Sequence, residues 1–442
     1  MATLVLKAAR VIDATGAPAI ENGVVVVEGN RIKAVGRAGD FSLPPEGAEM
    51  IDAGDRTIIP GLMDVHTHLC SWTHSWHPWA DLTILHDTQE AIADTAIFGV
   101  KNCRNFIKQG VTTIRDIGAR HAAVFSLKKA CARGEILGPR VFAAGKAIAV
   151  TGGQGLTVGC EVDGADGVRK LAREQLKAGA DLIKLMVSGP GAGAASPYEI
   201  HMTIPEIAAA CEEAHHRGKH TTCHAVNAQA AMDAITGGID CIEHGLLLDE
   251  KTLKEMKARG VFWVPTLWTY QNTAWHGADY GTEPWIIERV QRITQAHLHN
   301  FQMAYAMGVK LAAGTDCGLP INPPKSLTWE LEWFVRLGMS PMDAIRSATQ
   351  SSAELLRESD ELGTLQPGKL ADMTIVEGNP LQNISALGDV WLVVKDGKVV
   401  VRDGDSESFD QPVEVGAQAV PDDWRERLER HIKSTQQPMA AS

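Results

Sequence analysis

Residues 61–69 read GLMDVHTHL and set His66 and His68 two positions apart in an apolar run. If this run is a β-strand, side chains two residues apart point to the same side, so both imidazoles face the same space. Two neutral imidazoles on one side of a strand can supply half of the ligands of a metal ion. Packing and surface histidines also occur in such pairs, so the rest of the chain has to decide between the two interpretations.

The composition is that of a globular protein with an acidic balance. The chain has 442 residues, of which 45% are hydrophobic and 22% charged, and its formal net charge is -12. This charge argues against nucleic acid or an anionic membrane as a partner. No run approaches the roughly 18 apolar residues of a membrane span, and the start of the chain has no signal-peptide pattern. Eight cysteines without a Cys-X-X-Cys pair favour reduced, buried thiols, so we expect a cytoplasmic protein. The expected partner is a small-molecule substrate.

Two sequence textures divide the chain into regions. Residues 1–59 and 360–415 are rich in short β-type runs separated by Gly, Pro and Asn, which predicts one small β-sandwich domain formed by both chain ends. Residues 60–359 instead repeat a strand followed by an amphipathic helix, a pattern typical of a parallel sheet covered by helices. Residues 416–442 are expected to form a C-terminal tail.

Eight candidate strands in the repeating region predict an α/β fold of the (β/α)8 TIM-like barrel type. Helices between them carry the usual start and stop signals, such as Pro205 with Gly218 and Ser340 followed by Pro341. The candidate strands are GLMDVHTH (61–68), GVTTIRDIG (110–118), PRVFAAGKAIAV (139–150), ADLIKLMVSG (180–189), KHTTCHAV (219–226), IDCIEHG (239–245), VFWVPTLW (261–268) and VKLAAGTD (309–316).

Residues with the chemistry of metal ligands lie near the ends of these strands. In such barrels the chemistry sits at the carboxyl ends, and one such residue alone is typical of a scaffold or a turn. Six together at one rim indicate a metal centre. They are His66 and His68 on the first strand, Lys184 on the fourth, His224 on the fifth, His244 on the sixth and Asp316 on the eighth.

Lys184 is unusual among metal ligands because an ammonium group repels cations. In an apolar strand its neutral amine is favoured, and that amine can add carbon dioxide to become a carbamate, which is an anionic ligand able to bridge two ions. Alternatively, the lysine reaches the rim of the barrel or pairs with an acid.

The set His-X-His, Lys, His, His and Asp on successive strands resembles the amidohydrolase superfamily. The spacing of 40 residues from Lys184 to His224, 20 to His244 and 72 to Asp316, with IEHG and AAGTD as framing strings, is similar to that of the prolidase-like branch. That branch includes Xaa-Pro dipeptidases and amidases that act on N-acyl amino acids and ochratoxin-type amides. The resemblance also includes IIPGLMDVHTH, GVTTIRDIG and GTLQPGKLADMTIV, and so covers most of the chain.

The resemblance implies a centre of two divalent metal ions. His66, His68 and Asp316 would hold one ion, His224 and His244 the other, and carbamylated Lys184 would bridge them. A metal-bridging hydroxide would attack the carbonyl, and Asp316 would be the catalytic residue that passes its proton to the leaving nitrogen. Zinc suits nitrogen-rich ligands, while the carboxylate and the carbamate leave manganese or cobalt open.

Two positions bear on substrate binding. In relatives that cleave peptides or acyl amino acids we expect TGGH after the third strand and HAY after the fifth, whereas this chain has TGGQ with Gln154 and HAVN with Val226. An amide and an isopropyl group weaken a carboxylate pocket at these positions. Arg115, Arg140 or Lys146 could bind a carboxylate instead, so both interpretations stay open.

Tryptophans lie in the loops that would surround the pocket. Trp72 follows the first strand and Trp268 lies at the seventh, and both are candidate substrate contacts. Aromatic walls favour flat apolar ligands. Each indole could instead belong to the core or to a subunit interface.

Taken together, these features predict a binuclear metal-dependent hydrolase of amide-type C-N bonds. Its substrate would be apolar or aromatic: an N-acyl amino acid, or a neutral amide, carbamate or urea of xenobiotic type. An Xaa-Pro type dipeptidase is the first alternative. A mononuclear deaminase or cyclic-amidine hydrolase is a second, although HAVN offers no Glu after His224 and Lys184 is present. A non-catalytic barrel scaffold is a third. Barrels of this kind often assemble, so a homo-oligomer is expected.

Overall fold

The structure is a computed structural model that describes residues 3–41, 47–70, 89–119, 121–155, 157–191, 196–280, 282–318 and 326–402. Trp72 and the expected tail at 416–442 lie outside these residues. The strands in the described residues are β1 (Thr3–Val11), β2 (Ile20–Glu28), β3 (Arg31–Arg37), β4 (Glu49–Asp52), β5 (Thr57–Pro60), β6 (Leu62–Thr67), β7 (Val111–Asp116), β8 (Arg140–Ala143), β9 (Ala147–Ala149), β10 (Gly159–Glu161), β11 (Leu182–Met186), β12 (His220–Asn227), β13 (Cys241–Leu247), β14 (Phe262–Val264), β15 (Met373–Val376), β16 (Val390–Lys395) and β17 (Lys398–Arg402).

Helices alternate with the strands between β6 and β15. Within the described ranges they are α1 (Gln89–Lys108), α2 (Ala123–Arg133), α3 (Gly164–Ala178), α4 (Ile204–His215), α5 (Ala228–Thr236), α6 (Glu250–Arg259), α7 (Leu267–His276), α8 (Pro284–Met307), α9 (Ser326–Arg336), α10 (Pro341–Ser347) and α11 (Gln350–Leu356). Each of these helices is too short or too polar to cross a membrane.

One mixed sheet joins strands from two distant parts of the chain. Its order is β17-β16-β15-β5-β1-β2-β3, with β4 also paired to β1. The central pairing is antiparallel and sets Ile58 of β5 opposite Ile375 of β15. The β-branched side chains of Val25 and Val27 turn inward and are fully buried, as the alternation of a strand requires. The prediction that both ends build one β-domain agrees with this pairing, whereas the two-layer sandwich and the domain boundaries stay predictions.

Parallel strands form the middle of the molecule. β6, β7 and β8 make a three-stranded sheet, and β9 to β14 make a six-stranded sheet in the order β10-β9-β11-β12-β13-β14. Helices pack over these strands around the largest apolar cluster, which includes Ile114, Ile183 and Ile207. The middle of the chain therefore has the α/β architecture that the repeating pattern indicates.

Three of the eight candidate strands differ from the expectation. Residues 139–150 divide into β8 and β9. Residues 261–268 contribute only β14, because Pro265 has no N–H to donate and Thr266 takes a left-handed φ of 51°, after which α7 begins. Residues 309–316 form no continuous strand and pair through isolated parallel bridges, of Leu311 with Trp263 and, just beyond, of Cys317 with Thr67.

Local helix signals are confirmed at both of the expected positions. Thr203 and Glu206 form a reciprocal capping box at the start of α4, and Pro205 lies in its first turn. Ser340 precedes α10, and its hydroxyl oxygen accepts a hydrogen bond from the Asp343 N–H at 3.1 Å.

Arg140 joins β8 to the mixed sheet. Its guanidinium lies 2.9 Å from the Asp372 carboxylate and 2.5 Å from the Asp396 carboxylate, which flank β15 and β16. Arg140 is therefore committed to this contact, and the suggestion that it binds a substrate carboxylate is wrong in this structure.

Candidate metal centre

The strand ends gather the six residues that the sequence analysis singled out, and all six are buried, with at most 5% of each exposed. His66 lies in β6 and Lys184 in β11. His224 lies in β12 and His244 in β13, while His68 directly follows β6 and Asp316 directly precedes the bridge residue Cys317. Each is thus fixed by backbone pairing rather than carried on a loose loop.

Five of these side chains are linked by close contacts. His66, His244 and Asp316 each offer a ligand atom, and these atoms lie within 4.8 Å of one another. The Nε2 atoms of His66 and His68 are 3.3 and 3.2 Å from Asp316 Oδ1. The ring centroids of His224 and His244 are 4.5 Å apart, which joins His224 to the group. Lys184 is buried within electrostatic reach of Asp316.

Contacts on the far side of the imidazoles orient them toward the centre. Metal-bound histidines usually donate their second ring N–H to a protein oxygen, which fixes the tautomer and the ring plane. Three Nδ1 atoms make such contacts: His66 with Glu243 Oε2 at 2.7 Å, His68 with the Gly118 carbonyl at 2.9 Å, and His244 with Thr266 Oγ1 at 2.9 Å.

His224 has the opposite orientation. Its Nε2 atom lies 3.2 Å from the Gly189 carbonyl oxygen, which leaves Nδ1 free to face the centre. The donor set consists of imidazole nitrogens and a carboxylate, and each imidazole is oriented by a contact of its other ring nitrogen. This set fits a divalent metal ion.

Glu243, the acid of the IEHG string, is the main residue that the sequence analysis missed. Its carboxylate accepts hydrogen bonds from His66, from the Arg115 guanidinium at 2.6 Å and from the Thr222 hydroxyl. Burial opposes its ionised form, but the charges of Arg115 and His66 hold the pKa of Glu243 well below its usual value. Arg115 is fully buried beneath the site, so the suggestion that it binds a substrate carboxylate is wrong in this structure.

Asp64 holds the segment that carries Asp316 against β6. Its carboxylate accepts from the Thr315 hydroxyl at 2.6 Å and from the backbone N–H groups of Thr315 and His66. Burial raises the pKa of Asp64 to about 7. The close approach requires Gly314, since a Cβ there would stand 2.6 Å from the His66 Cβ. The signal available in the sequence was an acidic residue inside an apolar run, two residues before the first histidine.

Three residues at the centre have a strained backbone. His244, Thr266 and Asp316 take positive φ values of 70°, 51° and 57°, a region that L-residues avoid. Such conformations cost about 1–3 kcal/mol each and persist where the surrounding structure enforces them, often at functional sites.

Electrostatics favour the protonation states that metal binding needs. Burial lowers the pKa of His224 to about 3 and holds the pKa of His244 well below its usual value, so both imidazoles are neutral. Burial also lowers the pKa of Lys184. Burial opposes ionisation of Asp316, yet His66 and His68 hold the pKa of that carboxyl well below its usual range. His224 and His244 as neutral imidazoles and Asp316 as a carboxylate can bind a metal ion without further deprotonation, whereas the Asp316 carboxylate outweighs burial and raises the pKa of His68.

The candidate substrate contacts do not form one group as the candidate metal ligands do. Gln154 is half-buried, and its backbone N–H donates to His201 Nδ1 at 3.3 Å. Val226 is fully buried in an apolar cluster with Tyr270. Trp268 belongs to the main core, where its ring centroid lies 4.5 Å from that of Trp329. Their roles as substrate contacts stay predictions.

Comparison with known proteins agrees with this geometry. Residues 57–400 match the family model described as "Amidohydrolase family". Ochratoxinase of Aspergillus niger is 27% identical over 439 residues, covering 89% of this chain and 86% of that protein.

Two solved structures are also similar. One is a Xaa-Pro dipeptidase with bound methionine, at a TM-score of 0.82 and 32% identity over 90% of this chain and 99% of that one. The other is a prolidase complexed with N-methylphosphonate-L-proline, at a TM-score of 0.82 and 29% identity over 91% and 100% of the two chains. The chain belongs to the amidohydrolase family, in its prolidase-like branch, and is a hydrolase that acts on C-N bonds.

Proposed function

We propose that the protein is a binuclear metal-dependent hydrolase of amide-type C-N bonds in apolar or aromatic substrates. The observation that carries this proposal is the convergence of four buried imidazoles, Asp316 and Lys184 at one place, with three of the imidazoles fixed from behind through Nδ1. A scaffold has no need for this set, because each member is costly to bury without a partner or a ligand.

The proposed assignment divides these ligands between two metal ions. His66, His68 and Asp316 would hold one divalent ion, and His224 and His244 the other, with zinc as the expected metal and manganese or cobalt as alternatives. Lys184 would bridge them as its carbamate, and its burial and lowered pKa support a neutral amine able to add carbon dioxide. When bound, the ions would supply a nucleophilic hydroxide near neutral pH and polarise the scissile carbonyl.

The protein's own residues would manage the protons of the reaction. Asp316 Oδ1 lies within 3.3 Å of both His66 Nε2 and His68 Nε2, a position from which it could accept a proton at the centre and release it to the leaving nitrogen. An amine is a poor leaving group unless it is protonated, so this transfer is required for C-N cleavage. Glu243 would keep the His66 ring in the orientation that this geometry needs.

We also propose that the two parallel sheets belong to one (β/α)8 barrel. The Asp181 N–H, just before β11, donates to the Ala143 carbonyl of β8 at 2.8 Å, which supports one junction. The bridges of Leu311 with Trp263 and of Cys317 with Thr67 support the other. A closed barrel would bring all six candidate ligands to its carboxyl-terminal face.

An uncharged substrate is the form that the described pocket residues favour. Val226 is apolar and buried in the cluster with Tyr270, Gln154 is neutral, and Arg115 and Arg140 are paired with buried acids. The similarity to ochratoxinase supports an amide of the ochratoxin type. The second candidate is an Xaa-Pro type dipeptidase, which the 32% identity to a Xaa-Pro dipeptidase supports.

A hydrolysis assay on matched substrates tests these proposals. N-benzoyl-L-phenylalanine and N-(2-phenylethyl)benzamide differ only in the α-carboxylate, and each would be tested with zinc, manganese and cobalt. We expect turnover with equal or greater kcat/KM for the neutral amide. Preference for the carboxylate would contradict the neutral substrate and favour an N-acyl amino acid or the dipeptidase.

Metal analysis tests the binuclear centre independently of turnover. Protein purified without chelator should hold near two divalent ions per chain, whereas one ion together with purine or pyrimidine deamination would indicate a deaminase. Lys184→Ala should lose bound metal and all activity, while Lys310→Ala, which changes an exposed lysine paired with Glu354, should retain both. Retention of metal and activity by Lys184→Ala would refute the carbamate bridge.

A further inference from the structure

One phenol lies on the wall beside His224 and His244. Tyr270 sits in the first turn of α7, and its ring meets the His244 ring edge to face, with centroids 5.6 Å apart and planes at 87°. On its other side it faces the loop after β11, where a Cβ on Gly191 would stand 2.9 Å from the Tyr270 hydroxyl oxygen. The absence of a side chain at Gly191 therefore admits the phenol to this place.

The Tyr270 hydroxyl is available for a ligand. Its ring packs in an apolar cluster with Val226, Leu246 and Ala274, whose side chains cannot accept a hydrogen bond. Within the described residues the hydroxyl makes no hydrogen bond, yet it is not among the fully enclosed polar atoms that lack a partner. The residue as a whole is only 3% exposed. Buried tyrosines normally satisfy this group, so an unused one at a catalytic centre points to a function.

Neighbouring rings hold the phenol in one orientation. His297 of α8 is fully buried behind it, with ring centroids 5.9 Å apart and planes at 83°. Tyr270 is thus packed between the rings of His244 and His297. A tyrosine phenol carries its proton near neutral pH, so the hydroxyl acts as a donor.

Resting on the proposed function, we infer that Tyr270 is a catalytic residue whose hydroxyl donates a hydrogen bond to the carbonyl oxygen of the scissile amide as that oxygen becomes negatively charged. When the oxygen of hydroxide bonds to the carbonyl carbon, the π electron pair moves onto the carbonyl oxygen. The pair returns when the C-N bond breaks, and the amine leaves with the proton that Asp316 carries. Tyr270 keeps its own proton throughout, so its contribution is electrostatic.

Tyr270→Phe removes only the hydroxyl and so tests this role. Loss of one donor to a developing oxyanion typically costs about 100-fold or more in rate. We expect kcat for N-(2-phenylethyl)benzamide to fall about 100-fold, with KM, metal content and melting temperature unchanged. The matched control is Tyr305→Phe, which removes a hydroxyl bonded to Asp343 on the outside of α8 and should leave kcat unchanged.

Binding of a tetrahedral analogue gives a second measurement that needs no turnover. The phenylphosphonamidate of 2-phenylethylamine carries a charged oxygen in place of the developing oxyanion, so its Kd should weaken in Tyr270→Phe by a factor similar to the loss in kcat. Unchanged kcat and Kd in the variant, or a loss of kcat that follows a loss of metal, would overturn the inference while the proposed function stands. Wild-type protein that neither hydrolyses the benzamides nor binds the phosphonamidate would refute the proposed function and this inference with it.

Discussion

The buried pair of Glu243 and Arg115 leads to a prediction about the whole centre. Glu243→Gln keeps the size of the side chain but removes its charge. The carboxylate serves the Arg115 guanidinium through one oxygen and His66 Nδ1 through the other. An amide has one acceptor oxygen, so one of these donors will face an NH2 group that cannot accept. The variant therefore leaves either the guanidinium or the imidazole without its partner.

The expected losses can be estimated from burial. Both side chains of the pair are fully enclosed, and removing one partner of such a pair costs about 3–5 kcal/mol. We expect a loss near 3 kcal/mol for metal-free protein, because the glutamine oxygen still satisfies one donor. Residues that orient metal-bound histidines typically contribute about 10–100-fold in metal affinity, and we expect a loss in that range here.

Two assays separate these effects. Urea unfolding of metal-free protein gives the free energy of unfolding, and competition with a chromophoric chelator gives the zinc affinity. Since the pKa of Glu243 is depressed in the folded state, its stabilising contribution is present above the unfolded value of about 4.5 and is lost as the pH falls below it. The difference between wild type and variant should therefore shrink in acid.

A matched control is Glu212→Gln, which changes a half-exposed carboxylate paired with Arg169 on the surface. This control should leave both unfolding and zinc affinity unchanged, because exposed ion pairs contribute little. If Glu243→Gln unfolds like wild type and binds zinc equally well, the network beneath His66 has no role in positioning it. The explanation of the metal centre given above would then be wrong.

Two further predictions concern stability outside the metal ligands. Glu330 is buried in α9 and accepts the N–H groups of Leu267 and Trp268 at the start of α7. Burial raises its pKa to about 8, so its contribution to stability is complete below the unfolded value of 4.5 and is lost as the pH rises through 8. Glu330→Gln should therefore flatten the decline of unfolding free energy between pH 5 and 9 in urea titrations, and parallel curves for the two proteins would contradict this. Arg140→Ala should lower the free energy of unfolding by roughly 3 kcal/mol, since it leaves the buried Asp372 carboxylate without its cation. A loss within experimental error in the same urea assay would show that this ion pair does not hold the mixed sheet to β8.

Features set by neighbours in sequence were predictable. The capping residues Thr203 and Ser340 act on N–H groups three positions away, so the start of each helix can be deduced from a few letters. The histidine pair of β6 follows from strand periodicity in the same way. The six candidate ligands were placed at one rim from the predicted barrel, whereas their assignment to two ions required the resemblance to a family.

Features set by distant residues were not predictable from one sequence. Arg115 and Glu243 are 128 positions apart, and neither flanking sequence indicates that they meet. Residues 309–316 have an alternating apolar pattern, but their pairing depends on β6 and β14, which offer only isolated bridges. No local pattern around His297 indicates a role, yet its ring packs against Tyr270 beside the centre.

The mixed sheet has a consequence for how the chain folds during synthesis. β5 needs β15 as a neighbour, and β15 emerges from the ribosome more than 300 residues later. Until then the edge of β5 exposes backbone groups that could pair with another chain. Non-local pairings of this kind form slowly, so the nascent N-terminal strands would depend on chaperones for protection, and the sheet would be the last unit to assemble.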